Sequence, residues 1–308
     1  MERIKNIPVP LLPTMVGAMT LSNAYAGIGY TFIRHLTMIA GLCVLGIYCV
    51  KIVKYFPTVR KEYENTVLAS LYSGFTMIMM LGGSYLFELQ PLIGRSLWFA
   101  GIVLHSFHIL VFTYRYVIKK RALETFVPSY FVTYNGIMVA IVVGGTMDAR
   151  QLLWFYTYYG ICVYLVLIVL LIRRLLVYEL NPTFLHTLGI VLAPCALSLT
   201  SYLNMSKNPD PFLVYFLFGC VLVSLVFIIL MLPKFFKVAF GPGYAGLTFP
   251  MAIGLVSTTK VIGYLSSQGY NRAAAVVTQI SGIQLYLTSM LVGYVVLNFI
   301  IMALPRKE

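Results

Sequence analysis

A chain of 308 residues that is 60% hydrophobic and only 10% charged, with a mean hydropathy of +0.89, is not an ordinary water-soluble domain. Such domains carry charge on about a quarter of their residues. The net charge of +13 gathers on loops beside apolar runs, so it reads as membrane topology and attraction to anionic lipid, not as a nucleic-acid surface.

Ten apolar windows come close to the ~20 residues that cross a ~30 Å hydrocarbon core. They are 11–30, 36–56, 67–87, 96–118, 128–146, 152–172, 184–202, 212–232, 243–266 and 280–302. Short loops join them, so residues 1–308 are expected to form a single membrane domain. The five cysteines all lie inside these windows without paired spacing and read as small core residues.

The first window follows Arg3 and Lys5 and contains "AYAG" (Ala24 to Gly27), which looks like a signal-peptide cleavage site. Pro13 and Gly17 interrupt its apolar run, so a retained span is expected. Its opening, "IPVPLLPTMVGAMTL", places prolines ahead of a small-residue helix and fixes the angle at which the chain arrives. After the second window, Arg60, Lys61, Glu62 and Glu64 read as an ordinary solvated loop. The fourth window holds "HSFH", with His105 and His108 at i,i+3 on one face as a candidate proton-coupling pair. A metal or heme at these histidines would need further ligands at the same depth; the remaining histidines, His35 and His186, lie at span ends, and no metal or other cofactor is expected.

The fifth window, "PSYFVTYNGIMVAIVVGGT", opens on Pro128 and carries Gly136; the seventh carries Pro194. The ninth contains "GLTFPMAIGLVSTTK", from Gly246 to Lys260, with Pro250 and a lysine inside a membrane-length run. Eleven helical steps turn by about 1100°, so Lys260 falls near the Phe249 face, ~16 Å along the axis. Gly246, Ala252, Ile253 and Val256 share that face, with phase shifts if Pro250 kinks the helix. This reading puts an aromatic ring at mid-depth among small residues and an anion-attracting cation toward one mouth. In the bland alternative Phe249 packs between helices and Lys260 snorkels to headgroups.

Sixteen of the twenty-two lysines and arginines flank one side of the windows, five flank the other, and Lys260 lies within a span. Both termini are therefore expected in the cytoplasm. Glycine, serine and threonine make up 33 of 103 residues in the odd-numbered windows but 16 of 109 in the even-numbered ones. All four prolines inside windows are on odd ones. Small residues let helices approach closely, and proline is tolerated where a freed carbonyl finds a partner. The alternation predicts five hairpins, each with one inner and one outer helix.

No window has an acidic residue near its middle, which disfavours cation pathways and proton-driven relays of carboxylates. No P-loop, GxSxG or HExxH signature appears, and no enzyme activity is expected. A membrane enzyme or electron-transfer protein is the disfavoured reading.

At "YAGLTFPMA" (Tyr244 to Ala252), with looser likeness at "IPVPLLPTMVGAMTL" and "VPSYFVTYNGIMVA", the chain resembles the tellurite-resistance/dicarboxylate transporter family. That family includes bacterial TehA, fungal malate and sulfite carriers, and plant slow anion channels. The resemblance implies ten helices in a quasi-five-fold ring of hairpins, with odd helices inside around a central pore. It also implies a homotrimer with one pore per protomer, a bacterial inner-membrane location, and a gating phenylalanine, which falls on Phe249. Lys260 has no clear family counterpart. The expected function is an anion channel or uniporter for small inorganic or organic anions. The alternative is a carrier of C4-dicarboxylates such as malate, or of sulfite or tellurite-type oxyanions, with proton coupling through His105 or His108.

Overall fold

The computed structural model describes residues 2–120, 123, 126–179 and 182–303, and every regular element among them is helical. The principal helices are α1 (Leu11–Gly27), α2 (Thr31–Lys54), α3 (Thr66–Leu89), α4 (Pro91–Ile118), α5 (Tyr130–Val143), α6 (Arg150–Val177), α7 (Leu185–Met205), α8 (Pro211–Phe235), α9 (Pro242–Ser267) and α10 (Asn271–Met302). Eight of these are long and apolar enough to cross a membrane; α1 and α5 are shorter. Window 11–30 keeps its start, where the helix begins at Leu11 after a turn at Pro8–Pro10, and loses its last three residues where the chain turns at Gly29, whose φ of +100° favours glycine. Window 128–146 shrinks because Pro128 stays outside the helix and Gly144 ends it, with a 3-10 turn at Gly136–Met138 between.

Local chemistry sets several boundaries. Asn65 Oδ1 accepts from Val67 and Leu68 N–H to start α3, and Asp210 does the same for Leu213 at α8. Pro91 and Pro211 occupy the first turn of α4 and α8, where no backbone donor is needed.

Burial follows the small residues. The most apolar stretches of α3, α7 and α9 are 78, 78 and 72% buried, against 28% in α2, α4, α6 and α10 and 33% in α8. Most residues of α1 and α5 are buried as well. The even-numbered helices turn large side chains such as Phe32, Leu92, Phe107, Leu176 and Phe212 outward, as a lipid solvent requires. Among the buried helices α1 packs on α3 and α9, α5 on α3 and α7, and α7 on α9.

Arg60, Lys61 and Glu64 are exposed as expected, but the segment is helical as far as Glu62, and Glu62 is not simply solvated. Lys51, fully buried at the end of α2, donates to Glu62 Oε1 at 2.8 Å and to the Ile7 carbonyl at 2.8 Å. Tyr72 donates to the other Glu62 oxygen, and Tyr48 donates to the Pro8 carbonyl at 2.8 Å. Glu62 is drawn inward because a lysine removed from water needs a counter-charge. This knot fastens the segment leading into α1 onto α2 and α3.

Candidate functional site

Three cavities follow one another along the buried helices. The first, about 260 Å³, opens at the end that carries Lys51 and Lys54, between Pro10, Asn65, Leu71, Thr187, Ile190 and Gly246. The second has a volume of only about 20 Å³. Its wall takes Pro13 from α1, Leu71 from α3, Phe131 and Gly136 from α5, Ala193 and Leu197 from α7, and Gly246, Phe249 and Pro250 from α9. The third is a vestibule of about 530 Å³ at the opposite end, reached by Thr20, Asn23, Arg34, Ser84, Lys260 and Ser281 among others. Going along α9, Gly243, then Phe249, then Val256 and Lys260 meet the three spaces in turn. The middle space admits about one water molecule, so it is a neck closed to a hydrated ion.

Phe249 is 4% exposed and sits in this neck. It is held there by close backbone packing: a Cβ built on Gly17 of α1 would stand 2.6 Å from the Phe249 amide nitrogen. The neighbouring Thr248 Oγ1 lies 2.8 Å from the Ala245 carbonyl and 3.3 Å from the Pro13 carbonyl, tying α9 to α1 at the same level. The prolines have a local logic too. Pro194 and Pro250 lack the N–H that an α-helix would direct at Ile190 and Gly246, four residues earlier. Both of those residues line the neck. Irregular backbone is thus found where it borders a cavity, the setting in which a membrane protein tolerates it.

The vestibule holds two cations with different surroundings. Arg34 Nη1 and Nη2 donate to Glu88 at 2.8 and 2.6 Å, and its Nε donates to Asn23 Oδ1 at 2.9 Å. Lys260 is exposed, with no ion pair or hydrogen bond among the described residues.

The other residues marked in the sequence fall as follows. Val256 lines the vestibule and Gly246 borders both the first cavity and the neck. Ala252 lies off this line, packed with Leu21, Leu255 and Val292 between α9, α1 and α10. Ile253, Pro128 and Pro194 are buried without bordering any of the three cavities.

His105 and His108 stand one layer behind the neck. His105 is fully buried; its Nε2 donates to the Thr133 carbonyl at 2.9 Å and its Nδ1 pairs with Thr76 Oγ1 at 2.6 Å. A Cβ on Gly136 would come within 2.9 Å of the His105 ring, so this imidazole backs the neck wall. His108 Nδ1 meets the Tyr63 hydroxyl at 3.0 Å. Burial pushes the Tyr63 phenol above its ordinary range, aided by Tyr116 and opposed by Arg115, so it stays protonated and donates. Among the described residues no three His, Cys, Asp or Glu side chains gather as a metal site, and all five cysteines are free.

Sequence reading missed Gly17, Thr20 and Arg34. Gly17 was visible only as a break in the apolar run of the first window, and Arg34 only as a topological charge.

The family model for SLAC1, voltage-dependent anion channel, matches residues 9–303, which takes in all three cavities and every principal helix. The chain belongs to the SLAC1 family. The likeness carried by "YAGLTFPMA" is therefore a family relationship. This SLAC1-family chain is also similar to the tellurite resistance protein TehA homolog of Haemophilus influenzae, at 23% identity over 211 residues. The match covers 67% of this chain and 63% of that relative, so the chain spans about two thirds of the curated relative's length. Family membership and the apolar helices together make this a multi-pass membrane protein of an anion-channel family, not a member of an enzyme family.

Proposed function

We propose that the protein is an anion channel or uniporter whose path runs through the three cavities and is occluded at Phe249. The observation that carries this reading is the series itself: two open cavities with a one-water space between them along α9, Phe249 in the wall of that space, and beyond it a lysine with no partner among the described residues. Apolar walls bind an anion weakly, which suits rapid exit, and the polarity of the neck comes from backbone carbonyls and helix ends. The contacts α1–α3–α5–α7–α9–α1 form a closed circuit and support a quasi-five-fold ring of five hairpins, with odd helices inside and even helices outside. The lysine and arginine asymmetry supports cytoplasmic termini. Resemblance alone supports the homotrimer and the bacterial inner membrane. The substrates are small inorganic or organic anions, a class that includes the oxyanion in the relative's name.

The test is current across a planar bilayer holding purified protein in chloride, nitrate and malate, for wild type and Phe249→Ala. The wild type should be nearly silent. Phe249→Ala should conduct anions over cations with at least about tenfold more current, equivalent to ~1.4 kcal/mol off the barrier. If neither conducts while labelled malate accumulates under a proton gradient, a dicarboxylate carrier replaces the channel.

A further inference from the structure

We propose that the vestibule is a binding site for a monovalent anion, held by Lys260, Thr20 and Asn23, and that Glu88 fixes this valence by neutralising Arg34. The inference rests on the channel reading and deepens it, by naming the charge class of the anion.

The vestibule wall carries two cations, but only one is free to meet a ligand. Arg34 is engaged at three nitrogens, twice by the Glu88 carboxylate and once by Asn23. Its guanidinium also lies 5.3 Å over the Tyr85 ring. A bidentate arginine–carboxylate pair of this kind is electrically neutral to its surroundings. Lys260 therefore supplies the single uncompensated charge, and it has no acceptor among the described residues.

Two donors complete the site. Thr20, only 3% exposed, belongs to the wall of this cavity, and its buried Oγ1 has no hydrogen-bond partner among the described residues. Other wall hydroxyls are already committed: Ser84 donates to the Val143 carbonyl at 3.0 Å and Thr259 to the Leu255 carbonyl at 3.0 Å. A buried hydroxyl is normally paired, so an unpaired one on a residue of the cavity wall marks a place for an acceptor. Asn23 commits its Oδ1 to Arg34, and its Nδ2 donors have no acceptor among the described residues. An ammonium, a hydroxyl and an amide N–H are all donors, and they share one cavity.

Valence follows from charge. A monoanion here balances Lys260. A dianion leaves one negative charge without a compensating cation in the cavity, a cost that a monoanion does not carry. Changing Glu88 to glutamine frees Arg34 and adds a second positive charge to the same wall. A nitrate ion and a lipid phosphodiester both present this monoanionic chemistry, so the ligand source is separated by experiment.

The experiment is thermal stabilisation of the detergent-purified full chain, titrated with nitrate or with malate, which needs no conduction and so stands apart from the bilayer test. Nitrate should stabilise the wild type at lower concentration than malate. Glu88→Gln should lower the half-saturating malate concentration roughly tenfold, the scale of one added charge at a partly hydrated site. The double variant Arg34→Gln/Glu88→Gln restores the original net charge and should restore the preference for nitrate. Lys260→Gln should abolish both shifts, and Thr20→Val should weaken nitrate about threefold. Stabilisation by added phosphatidylglycerol alone, lost in Lys260→Gln, assigns the same site to a lipid phosphate. The proposal is overturned if Glu88→Gln leaves the nitrate-to-malate ratio unchanged, if the double variant behaves like Glu88→Gln, or if Lys260→Gln still binds nitrate. A silent Phe249→Ala channel with an intact nitrate shift would remove the channel reading and leave this site standing.

Discussion

Gly17 and Phe249 meet backbone to backbone: there is no room for a Cβ on Gly17 without moving the Phe249 amide, 2.6 Å away. The position of the neck phenylalanine is therefore set by a glycine on a different helix. Gly17→Ala should destabilise the protein by about 1–3 kcal/mol, the usual result of forcing an extra carbon into a packed interior. Because the displaced atoms belong to α9, the same variant should leak anions above the wild-type current. A melting temperature and a bilayer current both equal to wild type would show that the approach is not tight.

The Lys51–Glu62 pair should respond unequally to loss of its two partners. Lys51 is fully buried while the Glu62 side chain is 21% exposed. Glu62→Gln strands an ammonium that cannot reach water and should destabilise by ~3–5 kcal/mol. Lys51→Met leaves a carboxylate that can turn toward solvent, so the loss should be smaller. Thermal melts of the two purified variants check the order, and the reverse order would mean that Glu62 is the more deeply trapped charge.

For His105 the geometry favours a wall-building role over proton transfer. Both ring nitrogens are occupied, by Thr76 and Thr133, and the ring borders none of the three cavities. His105→Ala should lower stability by about 1–3 kcal/mol, because a buried carbonyl loses its donor. Carried in the Phe249→Ala background, it should leave the pH profile of anion flux unaltered between about pH 5 and pH 8, where a free histidine would titrate. A shifted profile there, or in His108→Gln, would put a histidine back on the transport path.

Much of this was legible in the chain, and the reasons differ from part to part. Length and apolarity marked eight crossing helices because a bilayer sets a minimum span. The same rule overreached at windows 11–30 and 128–146, where proline and glycine end the helix inside a run that still looks apolar. The contrast in small residues anticipated which helices are buried, since close approach selects glycine, serine and threonine wherever helices meet. Helical phase brought Gly246, Phe249, Val256 and Lys260 onto one cavity line but misplaced Ala252, which turns toward Leu21 and Val292, and Ile253, which borders none of the three cavities. Relations between distant segments stayed hidden. Nothing local to Arg34 announces that Glu88, 54 residues away, silences its charge, and nothing near Gly17 announces Phe249.

On the proposed path the three cavities would divide the labour of discrimination. The neck is walled by carbon and by main chain, with Ile190 and Gly246 each four residues ahead of a proline, so its side chains control width and little else. The charged groups stand apart from it, in the vestibule, where the proposed site would control valence. A size filter and a charge filter placed in series on separate residues can be retuned one at a time. Replacing Leu71 or Phe131 should move the largest anion admitted without altering the preference for monoanions, and replacing Glu88 should do the reverse. A protein built this way can acquire a new substrate by a single change, at either station, without rebuilding the other.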